Sequence, residues 1–195
     1  MGPPSPPPMQ VYQRVMIFVD GTNLLLRLAE DLKVSFRADK LPNSALRAAA
    51  SLIGGLYSGA KFKIIRRYWF SSFTGNDETR FEFAQRLRGH NFEPVIFRKK
   101  GNREKGVDIA LTMSMLINAF NQNYDIGLLV AGDEDYLELV TEIKRYGSRV
   151  EGAFLECGLS GELKLAFDNF RLLKAKDLKD PIKQPVIDEF GENIQ

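Results

Sequence analysis

Apolar residues in this chain fall into short unbroken runs, separated by stretches with helical period. Residues 126–131, IGLLVA, show no polar alternation. That is the pattern of a strand covered by helices on both faces, at the centre of a parallel sheet. Residues 14–20, RVMIFVD, read as a second such strand and end in an acid. Further strands are predicted over 61–72, 92–98, 148–155 and 169–173. Gly21, Thr22 and Asn23 read as a turn before a helix over 24–32, and another helix runs from 43 to about 57, ended by Gly59. A third follows the turn TGND at 74–77 and stops near Gly89, and a fourth spans 106–120. Leu137, Val140, Thr141 and Lys144 recur at helical spacing, so a helix is expected over 135–146, stopped by Gly147. A short helix is expected at 161–167, and loops at 33–42 and 99–105. Strands alternating with helices predict an α/β three-layer sandwich around a mainly parallel central sheet.

A length of 195 residues with 44% hydrophobic residues accommodates one domain with a sizeable core, placed at 14–175. Residues 1–13 form a Pro-rich tail, the first ten holding five of the nine prolines, and residues 176–195 a charged C-terminal tail. The single cysteine, Cys157, excludes an internal disulfide and a cysteine-based zinc cluster. No apolar run approaches the ~20 residues that span a bilayer. MGPPSPPPMQ has neither the basic flank nor the apolar segment of a signal peptide. A cytoplasmic location is expected. The formal charge of +2 is polarised: residues 61–105 hold twelve Lys or Arg against five Asp or Glu, a net of +7, which leaves −5 elsewhere. Such a patch points to an anionic partner.

Candidate chemistry lies where apolar runs meet helices. Asp20 closes one strand, Asp133 and Asp135 follow the central one, and Asp108 sits in the first turn of its helix. Ligands of open α/β sheets collect outside the carboxyl ends of the strands, at the point where the strand order reverses. Each acid alone also reads as a helix cap. Together they are costly to hold without a counter-ion, and oxygen-only donors favour Mg²⁺ or Mn²⁺ over zinc. A hard divalent ion activates water and neutralises charge on a phosphate oxygen. Asn23 and Thr22 are placed to orient water or phosphate, or to cap. Arg98, Lys99, Lys100, Arg103 and Lys105 bring five positive charges before Asp108, suited to a nucleic-acid backbone. The only histidine, His90, lies in a turn without a partner in the sequence, which argues against His-based catalysis. IFVDGTN echoes the DxDGT of haloacid-dehalogenase phosphatases, but Phe18 replaces the nucleophilic aspartate and forms no phospho-intermediate. A phosphate-cradling GxxxxGK loop is absent.

VDGTN at 19–23, KGVDIAL at 105–111 and AGDEDYLELV at 131–140, in that order, resemble the NYN-domain family. More narrowly they resemble its LabA-like branch, relatives of the PIN-like nucleases. The resemblance extends over about 14–174 and includes SRVEGAF and SGELKLAFDNFRLL. It implies a Rossmann-like PIN fold and metal-dependent endoribonuclease activity on RNA, single-stranded in the first instance, with in-line hydrolysis leaving a 5′-phosphate. It also implies that Asp20, Asn23, Asp108, Asp133 and Asp135 form the acidic site. Ser114 stands where members often carry another acid, and Glu138 where a proline is common. Asp168 is a further candidate, with a helix-end role as the default, and Ser160 a weaker one still. The missing acid leaves an alternative: a non-catalytic RNA- or protein-binding adaptor on the same scaffold, with its tails as partner contacts.

Overall fold

A computed structural model describes residues 12–32, 43–98 and 106–174. In chain order these form β1 (Gln13–Asp20), α1 (Gly21–Leu32), α2 (Asn43–Gly55), β2 (Phe62–Phe73), α3 (Asp77–Gly89), β3 (Glu93–Arg98), α4 (Val107–Phe120) and β4 (Ile126–Val130). A 3-10 turn (Glu134–Tyr136) then leads into α5 (Leu137–Arg145), β5 (Arg149–Leu155), α6 (Gly161–Ala166) and β6 (Asn169–Leu173). The loop basics Lys99, Lys100, Arg103 and Lys105 lie outside the described residues.

All six strands join one sheet in the order β3-β2-β1-β4-β5-β6, and every ladder is parallel. The order reverses between β1 and β4, so the expected switch point lies between the two most apolar strands. All of β4 and residues 15–20 of β1 are buried. Right-handed crossovers running outward in both directions from this point set helices on both faces. Side chains of β1 alternate between the two layers, as strand period requires. Val15, Ile17 and Val19 pack with Leu24, Leu28, Ile53 and Phe83 on the α1–α3 side. Met16 and Phe18 pack with Leu111, Met115, Val140 and Ile143 on the α4–α6 side. Asp20 is next in that second series, so its side chain faces α4 and α5.

Trp69 and Phe70 are core residues, and Tyr68 stacks on Phe18 with ring centroids 5.6 Å apart, so these aromatics pack rather than offer a stacking platform. Arg66 pairs with Glu93 at the surface. The second buried carboxylate of the described residues, Glu151 of β5, is neutralised in place. The Tyr57 hydroxyl donates to its Oε2 at 2.9 Å, Arg149 lies 2.9 Å from Oε1 and Arg171 3.6 Å from Oε2.

The start of α1 differs from expectation. No turn intervenes: the helix begins at Gly21, directly after Asp20. Asp20 Oδ1 accepts from the Asn23 backbone N–H at 2.8 Å, the bond an N-cap makes to the third helical residue, and this closes the helix onto the strand. The chain makes that corner against the indole of Trp69, where a Cβ on Gly21 would lie 2.0 Å from Nε1. Gly21→Ala is therefore expected to displace Trp69 or the corner itself, at a cost on the order of 1–3 kcal/mol in urea denaturation. An unchanged midpoint would show that the corner tolerates a side chain.

Candidate functional site

At the carboxyl ends of β1 and β4, a cleft of about 240 Å³ opens beside α1. One wall is the α1 face carrying Thr22, Asn23, Leu26, Arg27 and Glu30; Asp20, Val107, Asp108 and Asp133 complete it. Three of the four predicted carboxylates are therefore gathered from three distant segments. Asp135 is exposed and is not among the lining residues; its backbone N–H donates to Asp133 Oδ1 at 3.3 Å. Asp133 thus caps the turn that leads into α5 while its carboxylate borders the cleft.

Asp20 is 3% exposed and holds both its oxygens in hydrogen bonds. Oδ1 caps α1, and Oδ2 accepts from the Tyr136 hydroxyl at 2.8 Å. The same hydroxyl lies 3.2 Å from Asp108 Oδ1, so one phenol, itself 1% exposed, bridges two carboxylates. A phenol carries a single proton and cannot satisfy both fully. Burial pushes the Asp20 carboxyl up to about 6, against the lowering effect of the Asn23 N–H and the Tyr136 hydroxyl. The neighbouring Asp108 and Asp133 raise it further. Burial, with the charges of Asp20 and Asp108, also raises the Tyr136 phenol, which stays protonated as the donor.

Asn23 ties the two central strands together, its Oδ1 accepting from Gly132 N–H at 3.1 Å. With that oxygen engaged, the group it offers to the cleft is its amide NH₂. A Cβ on Gly132 would lie 2.4 Å from the Phe154 ring, which is why the chain can pass here only as glycine. The hydroxyl of Thr22 accepts from the Ser72 backbone N–H at 2.8 Å and so anchors α1 to β2. Arg98 is exposed at the end of β3 with its guanidinium on Asp77, 2.8 Å away, and does not line the cleft. Asp168 is a structural clamp, bonded to Val150 N–H and paired with Lys144. Ser160 caps α6 through Leu163 N–H, and His90 ends α3.

Three lining or bridging residues escape the motif reading. Arg27 and Glu30 follow Asn23 at i+4 and i+7, so helical spacing alone puts them on its face. Tyr136 follows Asp133 and Asp135 and begins the buried face continued by Leu139, Val140 and Ile143. A phenol at such a position needs an acceptor, and the nearest are the acids. The donor set of the cleft is all oxygen, the chemistry of a hard cation. Among the described residues no three His, Cys, Asp or Glu side chains form a group that could hold a metal by themselves. The arrangement fits an ion that keeps much of its water and takes one or two carboxylates, as Mg²⁺ does.

The Asp20 value sets a pH dependence. A folded-state value of about 6, above that of the unfolded chain, makes Asp20 contribute most to stability below about pH 4 and lose that contribution as pH rises through 6. With chelator present, Asp20→Asn should gain on wild type by up to about 3 kcal/mol between pH 4 and 7, read from paired urea titrations. Parallel profiles for the two proteins would show that Asp20 is not desolvated.

The NYN domain model matches residues 14–174. A protein of unknown function from Vibrio parahaemolyticus RIMD 2210633 has a crystal structure that superposes with a TM-score of 0.63 at 22% identity, over 85% of this chain and 96% of that one. That likeness is one of fold, the all-parallel three-layer α/β sandwich. No curated protein matches the chain. No helix among the described residues is long and apolar enough to cross a membrane. Matched over 161 of its 195 residues, from the first central strand to the last, the chain belongs to the NYN domain family.

Proposed function

We propose that this chain is a metal-dependent endoribonuclease that hydrolyses phosphodiester bonds of single-stranded RNA in the cytoplasm. The NYN domain is a PIN-like nuclease family, and its members are generally nucleases. The observation that carries the reading is the buried Asp20 carboxylate, which faces Asp108 and Asp133 across one cleft with a phenol, and no basic group of the described residues, in contact with it. Carboxylates so placed favour Mg²⁺ or Mn²⁺, with Asp20, and Asp108 or Asp133 directly or through water, as the residues that would hold it. When bound, such an ion neutralises charge at the phosphate and lowers the pKa of water. Asp20, fixed by Asn23 and Tyr136, presents a carboxylate that needs no reorganisation. Asn23 offers its amide NH₂ to a phosphate oxygen or to the attacking water. In-line attack would leave a 5′-phosphate. Asp135 acts through the turn, where its N–H holds Asp133. Within the family, the spelling of AGDEDYLELV and of the closing SGELKLAFDNFRLL supports the LabA-like branch. The Lys and Arg of residues 98–105 remain candidates for wider backbone contact.

A second reading, a non-catalytic RNA- or protein-binding adaptor contacted through its tails, is favoured by one observation. No three acids of the described residues form a complete metal group, and Ser114 stands where relatives often add another. Cleavage of labelled single-stranded RNA in Mn²⁺ separates the two. Wild type should cut, and Asp133→Asn should slow cutting by about a hundredfold, roughly 3 kcal/mol of barrier. Retention of intact RNA by both proteins supports the adaptor. Mn²⁺ at a hundred times its Kd should also stabilise the fold by about 3 kcal/mol, because it binds the folded state alone. An unmoved melting curve at millimolar Mn²⁺ contradicts the site.

A further inference from the structure

The cleft holds four acids, Asp20, Glu30, Asp108 and Asp133, and among its described lining residues one base, Arg27. Two features beyond charge set that base apart. Its side chain lies over Gly158 of the loop between β5 and α6, where a Cβ would meet Arg27 Nε at 2.2 Å, Cδ at 2.4 Å and Cζ at 2.9 Å. Gly158 has φ +71°, a conformation that L side chains rarely adopt, so the loop presents bare backbone to the guanidinium. The adjacent Cys157 Sγ lies 3.4 Å from Arg27 O, tying this turn of α1 to the same loop. The guanidinium is thereby seated without being buried: its side chain is 38% exposed, and Nη1 lies 2.9 Å from Glu30 Oε2.

We propose that Arg27 binds a backbone phosphate of an RNA strand lying along α1, next to the phosphate at Asp20. The proposal rests on the reading of the cleft as an RNA site. Asn23 and Arg27 stand on one helix face about 6 Å apart along the axis, comparable with one step between phosphates of a single strand. Leu26, half exposed between them, provides apolar surface for the intervening sugar. Glu30 is the placeholder. An exposed pair one helical turn apart contributes little, so a phosphate displaces the carboxylate from the guanidinium fork at small cost. The planar five-donor fork suits a phosphate in a way an ammonium does not. This makes the α1 wall the substrate track, in addition to any contact from the basic loop.

The test uses the full chain, a fluorescein-labelled single-stranded RNA decamer, binding measured in chelator across a salt series, and cleavage measured in Mn²⁺. Arg27→Gln should raise Kd and KM several-fold, leave kcat within about twofold and keep the melting temperature. It should also lower the slope of log Kd against log salt by about 0.7, the signature of one lost phosphate contact on a single strand. Arg27→Lys should restore the salt slope but only part of the affinity. Glu30→Gln should tighten binding, and that gain should vanish in the Arg27→Gln background. An unchanged slope and KM in a folded Arg27→Gln protein overturns the proposal, as does failure of wild type to bind RNA. Cleavage without a slope change removes Arg27 and keeps the nuclease. A slope change without cleavage keeps Arg27 and removes the hydrolase.

Discussion

A carboxylate taken out of water demands compensation, and two in this fold receive it differently. Glu151, buried in β5, has Tyr57 and two arginines arranged around it. Asp20, equally buried, faces two further carboxylates and shares a single phenolic proton with one of them. The first is a closed structural network that serves the join of β5 and β6. In the second, no basic group among the described residues touches Asp20, and its carboxyl is raised toward the protonated acid. The proposed function rests on this difference: Asp20 has two hydrogen-bond donors but no basic partner among the described residues.

The fold is built to keep it there. The strand order reverses between β1 and β4, so the helices that follow them leave to opposite faces of the sheet and a cleft remains at the carboxyl ends of those strands. Asp20 cannot swing away, because one of its oxygens caps α1. Gly21 lets the corner press against Trp69, and Gly132 lets β4 end against Phe154. Asn23 then crosses from α1 to Gly132 and fixes the separation of the two strand ends. Each of these contacts serves packing and the site at once.

Much of this is legible in the residues alone. The unbroken apolar runs of β1 and β4 announce central parallel strands, and the acids that end them announce the switch point. Asp108 falls in the first turn of α4 as its spacing implies. Legibility fails where a role depends on direction rather than period. Asp133 and Asp135 stand two residues apart in the motif, yet a 3-10 turn puts one carboxylate at the cleft and leaves the other outside it, joined to the first through its backbone N–H. Thr22 is in the cleft, but the edge of β2 has already claimed its hydroxyl. Gly21, Thr22 and Asn23 look like a turn because the capping oxygen belongs to the strand residue before them. Tyr136 looks like core because its ring is core; only its hydroxyl reaches the acids. Arg27 and Glu30 share a face with Asn23 only because the helix starts three residues earlier than expected, at Gly21.

Anomalous diffraction from crystals soaked in Mn²⁺ reports most directly on whether the Asp20 carboxylate takes a cation. A peak bonded to the Asp20 carboxylate at about 2.2 Å, with Asp108 or Asp133 bound directly or through water, is the expected result. A fully soaked crystal with no peak in this cleft, and Asp20 still bonded only to Asn23 and Tyr136, would contradict it.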